Sequence, residues 1–211
     1  MAAVRLDLGR LKPRLYRIAD PGALIDSTDS ESFGDDERFP YWSEVWPSSV
    51  GLARFLARGN SLVGLGCVEL GCGTGLAGVA AALKGARVTF TDYENTALAF
   101  SRANHELNLG VPGLTRLFDW RCPPRKMTAS LVLAADVLYE SRFLVPFVNT
   151  LRSILLPGGV ALVAEPGRKI AEGSVEGMER FGIKRSLFLE EFDHAGRTHS
   201  VWIHKLVKPL R

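Results

Sequence analysis

The 211-residue chain has few cysteines, few histidines and no excess of one charge. Its three cysteines, Cys67, Cys72 and Cys122, include no C-x-x-C pair, and its four histidines lack metal-ligand spacing, so we expect no disulfide framework and no metal. The 26 basic and 23 acidic residues nearly balance at a formal charge of +3. Composition therefore does not predict nucleic-acid binding.

The sequence also lacks a long hydrophobic run. Residues 1–7 have no apolar core of signal-peptide length, and no later segment is apolar enough to cross a membrane. We therefore expect a soluble, cytoplasmic protein. With 46% hydrophobic residues, the chain is long enough for one well-buried domain and short for two.

The first 38 residues are predicted to form an extension ahead of a domain over 39–211. Residues 1–25 mix basic and apolar residues in a pattern compatible with an edge strand or hairpin. The stretch 26–37 carries six carboxylates and indicates an acidic loop, either a solvated connector or a guide for a basic target.

From residue 66, short apolar runs alternate with helical patterns, which favours parallel strands joined by helices. Two closing strands, Ile183–Phe192 and Thr198–Val207, are separated by a hairpin-type connection. The prediction is an α/β sheet, mostly parallel, with an antiparallel last strand and helices on both faces. Strands are predicted at 66–70, 87–91, 114–118, 130–135 and 159–164, and helices at 75–84, 95–108, 141–155 and 169–180.

An aromatic segment precedes this alternation. Pro47 favours a helix start, and Gly59 favours its end. Trp46 is interpreted either as a core anchor or as a wall of a cofactor pocket, with Tyr41 or Trp42 facing a substrate.

A glycine turn follows the first strand of the alternation, in the pattern Glu69-x-Gly71-x-Gly73-x-Gly75. Such a turn lets the backbone approach a nucleoside-bearing cofactor, either a nicotinamide dinucleotide or S-adenosylmethionine. Glu69 would repel the phosphates of a dinucleotide but suits the ammonium group of a methionine moiety. The pattern therefore favours S-adenosylmethionine.

Acidic residues at the ends of the next two strands complete the predicted cofactor site. Asp92 can accept hydrogen bonds from ribose hydroxyls, although it could instead cap the following helix. Asp119 can accept from the adenine amino group while Trp120 packs on the ring, although a plain turn aspartate would look the same.

Asp136 and Tyr139 follow the fourth strand and are the predicted catalytic residues. Ligands of open α/β sheets bind beyond the carboxyl ends of the strands, so both side chains would face the methyl group. Their oxygen atoms could orient an amine for direct displacement; the alternative is that they cap the next helix. After the fifth strand, we expect Arg168 to clamp its loop through Glu165, or else to meet the substrate.

Together these motifs resemble the seven-strand protein-lysine methyltransferases of methyltransferase family 16, in particular the branch that modifies the β-subunit of electron transfer flavoprotein. The resemblance implies a Rossmann-like sheet, S-adenosylmethionine as methyl donor, and a protein substrate with an exposed lysine. It also implies that Asp136 and Tyr139 orient that lysine and that Trp46 lines the cofactor site. It is carried by Tyr41-Trp42-x-x-x-Trp46-Pro47, the glycine turn, Asp136-x-x-Tyr139, Glu165-Pro166-Gly167-Arg168 and Ser200-Val201-Trp202.

Other functions stay open at this point. The acceptor could be a small amine similar to nicotinamide. Asp136-x-x-Tyr139 is also akin to the D-P-P-Y element of enzymes that methylate amino groups of nucleic acids, but the chain has no basic tract. From other classes, the chain could be a dinucleotide-dependent oxidoreductase or a nucleoside-binding module without catalysis.

Overall fold

A computed structural model describes residues 2–26, 40–122, 126–169 and 177–210. Most of the predicted acidic loop, residues 27–37, and the expected domain boundary after residue 38 lie outside these residues. None of the described helices is long and apolar enough to cross a membrane.

The chain begins with a two-stranded antiparallel hairpin of β1 (Ala2–Arg5) and β2 (Arg14–Arg17), followed by a short helix, α1 (Pro21–Asp26). The hairpin predicted near the N-terminus is thus present. Leu8 and Leu15 are buried with the residues of the central core, so the hairpin packs on the sheet domain.

The central sheet has seven strands in the order β5-β4-β3-β6-β7-β9-β8. Strands β3 to β7 are mutually parallel, and β9 is antiparallel to both β7 and β8. This confirms the predicted sheet and places the last strand between two others. The bounds are β3 Gly66–Leu70, β4 Arg87–Asp92, β5 Leu114–Leu117, β6 Ala129–Ala135, β7 Leu155–Glu165, β8 Lys184–His194 and β9 Arg197–Val207.

Helices cover both faces of the sheet, because successive strand residues point to opposite sides. In β6, Leu131 and Leu133 join the core under α2 and α3, whereas Val132 and Ala134 join the core under α5. The helices are α2 Pro47–Arg58, α3 Leu76–Leu83, α4 Asn95–Leu109 and α5 Ser141–Ile154.

The helix predicted over 169–180 agrees with the structure at Lys169, which is helical, and differs from it at its end. Residues 170–176 lie outside the described residues, and Gly177–Phe181 form a 3-10 helix. Gly182, with φ of 75°, ends this turn, because that backbone conformation lies outside the helical region.

The sheet order places a topological switch at β3. The chain leaves β3 for β4 on one side, whereas β6 pairs with β3 on the other. A crevice therefore forms beyond the carboxyl ends of these strands, where open α/β sheets bind ligands.

Candidate active site

A cavity of about 550 Å³ lies at this switch point, a size typical of small-molecule sites. It receives side chains or backbone from β3, β4, β6 and the segment before α2. Eight of the ten predicted site residues line it: Trp46, Glu69, Gly71, Gly73, Asp92, Trp120, Asp136 and Tyr139. Gly75 and Asp119 are not in its lining.

The glycine turn brings backbone against the cavity at Gly71 and Gly73, which have φ of 61° and 49°. A Cβ on Gly71 would lie 2.9 Å from Cγ1 of Val137, closer than side chains can approach. The N–H of Gly73 donates a 3.0 Å hydrogen bond to Oδ2 of Asp92. The turn is therefore fixed to the end of the neighbouring strand, with space left for a ligand.

Gly75 has a packing role instead of lining the cavity. Its φ is 79°, and an added Cβ would lie 2.7 Å from Cβ of Ser101 in α4. The third glycine of the motif thus allows the turn and α4 to pack closely.

Glu69 is only 3% exposed although it carries a carboxyl group. Its Oε2 accepts a 3.0 Å hydrogen bond from the N–H of Gly78 in α3. Burial raises the pKa of Glu69 to about 8, and the bond from Gly78 opposes this rise only in part. The group is therefore mostly protonated at pH 7 until a cation approaches it.

Asp92 ends β4 and is also buried. Its Oδ1 accepts a 3.0 Å hydrogen bond from the N–H of Glu94. Burial raises the pKa of Asp92 to about 6, and hydrogen bonds from Gly73 and Glu94 oppose this rise. The N-cap position of α4 is Glu94, so Asp92 holds the turn before the helix and faces the cavity.

Asp119 and Trp120 follow β5 and border a small second pocket that also contacts Gly71 and Asp92. The carboxylate of Asp119 pairs with the guanidinium of Arg121 at 2.6 Å. The Trp120 ring packs beneath Gly71 and edge-on to Phe147, and it contributes to both cavities. The two residues predicted to bind adenine thus line this second pocket, which adjoins the main cavity and is called its annex.

Asp136 follows β6 and also lines the cavity, in a backbone conformation with φ of 57° that non-glycine residues rarely adopt. Its Oδ2 accepts a 3.0 Å hydrogen bond from the hydroxyl of Ser48, and its Oδ1 pairs with the guanidinium of Arg168 at 3.0 Å. We expected Arg168 to clamp its loop through Glu165. Only its backbone N–H does so, at 2.7 Å, because the guanidinium reaches Asp136.

Tyr139 lies beside Asp136 in the cavity wall. Its ring meets the edges of Tyr41 and Phe143 at centroid distances of 6.0 and 6.1 Å. Burial, followed by the negative charge of Glu140, raises the pKa of Tyr139 to about 12, so the phenol stays protonated at neutral pH.

Trp46 and Tyr41 form the wall next to Tyr139. The indole N–H of Trp46 donates a 2.8 Å hydrogen bond to the carbonyl of Tyr41, and the two rings pack edge-on at 6.2 Å. Trp42 also lines the cavity and packs against Phe100 of α4. The aromatic segment ahead of α2 is therefore both core anchor and cavity wall.

Carboxyl groups dominate the charge of the cavity. Among the described lining residues, Arg168 is the only Lys or Arg, beside six carboxyl groups: Glu44, Glu69, Asp92, Glu94, Asp136 and Glu140. Sequence reasoning missed Glu44, Glu94 and Glu140. For Glu94 and Glu140, adjacency to the predicted strand-end residues was an available signal. Ser48 gave no such signal, since its contact with Asp136 joins positions 88 residues apart.

The cavity suits S-adenosylmethionine by size, shape and charge. The glycine turn removes side-chain bulk where the cofactor would lie, and Trp120 and Asp92 border an annex of the cavity. The carboxyl groups favour a ligand that carries positive charge and disfavour one that carries phosphates.

Comparison with known proteins points the same way. Residues 35–176 match the model of a family described as lysine methyltransferase. Protein N-lysine methyltransferase METTL21A of Mus musculus is 35% identical over 57% of this chain and 58% of that protein. Electron transfer flavoprotein beta subunit lysine methyltransferase of Xenopus laevis is 31% identical over 78% of this chain and 60% of that protein.

The chain therefore covers less than two thirds of the length of these two relatives. Among solved structures, N-methyltransferase NodS of Bradyrhizobium japonicum WM9, in complex with S-adenosyl-l-homocysteine, superposes with a TM-score of 0.60. It is 15% identical, and the match covers 76% of this chain and 85% of that one. At this identity the likeness concerns the fold.

Proposed function

Because this chain belongs to the lysine methyltransferase family, we propose that it transfers a methyl group from S-adenosylmethionine to the side-chain amine of a lysine in a protein. The observation that carries the proposal is Asp136 beside Tyr139, on the wall of a carboxyl-rich cavity that the glycine turn borders. The glycine turn, which would hold the methyl donor, thus borders the same cavity as Asp136 and Tyr139, which together are called the acceptor wall.

The proposal assigns each part of the cofactor to a residue. Glu69 would accept hydrogen bonds from the methionine ammonium group, and Asp92 would accept them from the ribose hydroxyls. Asp119 and Trp120 would border the adenine ring in the annex. When bound, S-adenosylmethionine supplies a methyl carbon that accepts an amine lone pair while its sulfur keeps the electrons of the broken C–S bond.

The acceptor wall would align the lysine amine with the methyl group. Asp136 and the phenol oxygen of Tyr139 accept hydrogen bonds from the amine, which directs the nitrogen lone pair into the cavity. The rings of Tyr41 and Tyr139 flank a cationic side chain and stabilise it as it enters. The excess proton of the lysine ammonium leaves to solvent before transfer, since the attacking nitrogen needs its lone pair.

For the acceptor, we propose a folded protein with an exposed lysine, and the β-subunit of electron transfer flavoprotein as the first candidate. Support comes from the names of the relatives, which include the methyltransferase of that subunit in Xenopus laevis and EEF1A lysine methyltransferase 3 in Mus musculus. The carboxyl-rich cavity is compatible with a lysine of either acceptor.

The test uses the purified full chain with methyl-labelled S-adenosylmethionine and lysate from cells that lack this protein. We expect label in a protein band and, after digestion, methyl-lysine identified by mass spectrometry. Recombinant β-subunit of electron transfer flavoprotein and elongation factor 1A are assayed in parallel.

Label confined to the small-molecule fraction would refute the protein acceptor and point to a small amine. Label in protein but on neither recombinant candidate would refute only the named acceptor. An Asp136→Asn variant is the control for enzyme-dependent labelling.

A further inference from the structure

Arg168 holds a special place in the cavity, because it is the only lysine or arginine among the described residues that line it. Its Nη2 and Nε lie 3.0 and 3.3 Å from Oδ1 of Asp136. The Asp136 side chain is 6% exposed and that of Arg168 is 39% exposed. A partly exposed guanidinium thus lies against a buried carboxylate, and both residues line the cavity.

The loop that carries Arg168 is fixed from behind. One oxygen of Glu165 accepts hydrogen bonds from the backbone N–H groups of Gly167 and Arg168, at 2.5 and 2.7 Å. The other oxygen lies 3.1 Å from Nε2 of His204 on β9. Because Glu165 and His204 are almost fully buried, the base of the Arg168 side chain has a defined position.

The second oxygen of Asp136 is fixed independently. Ser48, in the first turn of α2, donates its hydroxyl hydrogen to Oδ2 at 3.0 Å. Asp136 is therefore held by one neutral and one cationic donor, from two different elements. Arg168 supplies positive charge directly at the Asp136 carboxylate.

Compensation matters because, apart from Arg168, every Asp, Glu, Lys or Arg among the described residues that line the cavity is acidic. Arg142 lies outside that lining and pairs with Glu140 at 2.5 Å. A lysine amine has an ordinary pKa of about 10.4, and nearby carboxylates favour its charged form, which has no lone pair for methyl transfer. The other titratable groups that line the cavity are Glu44 and Tyr41 before α2, Glu69 on β3, Cys72 in the glycine turn, Asp92, Tyr93 and Glu94 at the end of β4, and Tyr139 and Glu140 before α5.

We propose that Arg168 is a positioning residue of the acceptor site, which holds Asp136 in place and offsets its negative charge so that the acceptor lysine reaches the methyl group as a neutral amine. This inference rests on the proposed function, since it requires a lysine acceptor. It assigns Arg168 an effect on the protonation of substrate, beyond its part in holding the loop.

Two variants of Arg168 and one matched control test the role. Arg168→Met keeps an unbranched side chain and removes the charge, whereas Arg168→Lys keeps the charge and removes the planar pair of donors. Arg58→Met is the control, because Arg58 also pairs with a buried carboxylate, Glu190, and lies away from the cavity. Thermal unfolding verifies that each variant is folded.

The first measurement is the pH dependence of the methyl-transfer rate constant at saturating acceptor, with recombinant β-subunit of electron transfer flavoprotein or the protein acceptor that the labelling test identifies. This rate constant reports the pKa of the enzyme-bound lysine, whereas kcat/KM reports that of the free lysine. We expect the rising limb of the Arg168→Met profile to move about one pH unit upward, so that a roughly 10-fold loss at pH 7 shrinks by pH 9. Arg168→Lys should keep most of the wild-type profile. An equal loss for Arg168→Met at every pH would overturn the inference.

The second measurement needs no turnover. Sinefungin carries an extra amine near the position of the methyl group, whereas S-adenosylhomocysteine has no charge there. Removing the cation should therefore favour sinefungin over S-adenosylhomocysteine by about 3- to 10-fold in the ratio of Kd values, measured by calorimetry. Arg58→Met should leave that ratio unchanged. If the ratio of the two Kd values were the same in Arg168→Met as in the wild-type protein, Arg168 would not offset the charge of Asp136.

Failure of the inference differs from failure of the proposed function. If the wild-type enzyme labels no protein lysine, the proposed function fails, and with it the role of Arg168 toward lysine. If the wild-type enzyme labels lysine and Arg168→Met has the wild-type pH profile, only the inference fails.

Discussion

Asp136 shows how one residue is committed to a site at some cost to the fold. Its φ of 57° is uncommon for a residue other than glycine, and its carboxylate is almost fully withdrawn from solvent. The backbone N–H is nevertheless bonded to the carbonyl of Ala164 at 2.9 Å, and both carboxylate oxygens have donors. These contacts hold the aspartate in a conformation that glycine would adopt more easily.

The first residue-scale prediction concerns Asp136→Ala. Because Asp136 lies beside Tyr139 on the acceptor wall and is not among the residues assigned to the cofactor, we expect cofactor affinity to change less than about 3-fold while kcat falls about 100-fold or more, as alignment is lost. Calorimetry with S-adenosylhomocysteine and a methyl-transfer assay measure the two quantities. Asp193→Ala, in an exposed position at the end of β8, should behave as wild type. Unchanged turnover in Asp136→Ala would remove Asp136 from the catalytic residues.

The second residue-scale prediction concerns the protonation of Glu69. Burial raises the pKa of Glu69 in the ligand-free protein to about 8, above its ordinary value, so the group is mostly protonated at pH 7. An ammonium group beside it favours the carboxylate, so binding should release about 0.9 proton at pH 7, and affinity should rise with pH up to about 8 and then level off.

Calorimetry in buffers of different ionisation enthalpy measures this release, with S-adenosylhomocysteine as ligand. Glu69→Gln should abolish it, whereas Glu191→Gln, in an exposed position on β8, should not. Binding without proton release in the wild-type protein would show that Glu69 does not meet the ammonium group and only anchors α3 through Gly78.

At the scale of elements, α4 connects the N-terminal hairpin to the cavity. Asn104 donates hydrogen bonds to the carbonyls of Tyr16 and Thr74, at 3.0 and 2.8 Å, and accepts one from the N–H of Tyr16. One turn later, Asn108 pairs with both backbone groups of Arg14. The side chains of Asn104 and Asn108 thus make the backbone hydrogen bonds that a second neighbouring strand would otherwise make with β2.

This arrangement gives the element-scale prediction. Asn104→Ala and Asn108→Ala should both lower the free energy of unfolding, by about 1–3 kcal/mol, because each leaves backbone groups of β2 without partners. Only Asn104→Ala should also weaken S-adenosylhomocysteine binding, since only Asn104 holds Thr74 in the glycine turn. Denaturant unfolding and calorimetry measure the two effects. An equal loss of affinity in both variants would argue against a specific link between the hairpin and the turn.

The sequence could predict elements better than their contacts. The parallel strands, the closing hairpin and α2 follow from local periodicity and turn residues, and they occur where expected. Periodicity also gave a helix over 169–180; Lys169 is helical, but the end of the predicted span, Gly177–Phe181, forms a 3-10 helix, because the glycine at 177 disfavours α-helix there. Contacts such as Ser48 with Asp136 depend on how distant elements pack, which local patterns do not encode.

The same limit applies to the site residues. Strand-end positions predicted which residues line the cavity, since sheet topology alone brings Glu69, Asp92 and Asp136 to one edge. The partner of Arg168 was not predictable in this way. Glu165 is near in sequence and Asp136 is 32 positions away, and only the packed structure places the guanidinium on the latter.

At the scale of the whole molecule, the fold sets the charge of the cavity. The carboxyl ends of the parallel strands border one crevice; Asp92 ends β4, and the segments after the strands carry Glu94, Asp136 and Glu140. Because these groups come from separate segments, their common sign is a property of the folded chain. The balanced composition, with a formal charge of +3, does not reveal it.

This charge separates the two cofactors that a glycine turn can bind, and ligand-linked stability measures the difference. S-adenosylhomocysteine at about 100 times its Kd should stabilise the folded chain by about 2.7 kcal/mol, which raises Tm by roughly 5–10 °C for a protein of this size. NAD at the same concentration should leave Tm unchanged, because its two phosphates would lie against the carboxylate of Asp92, which is mostly ionised at pH 7. Stabilisation by NAD and not by S-adenosylhomocysteine would reverse the assignment of the cavity, whereas an equal response to both would show that its carboxyl groups do not select the ligand.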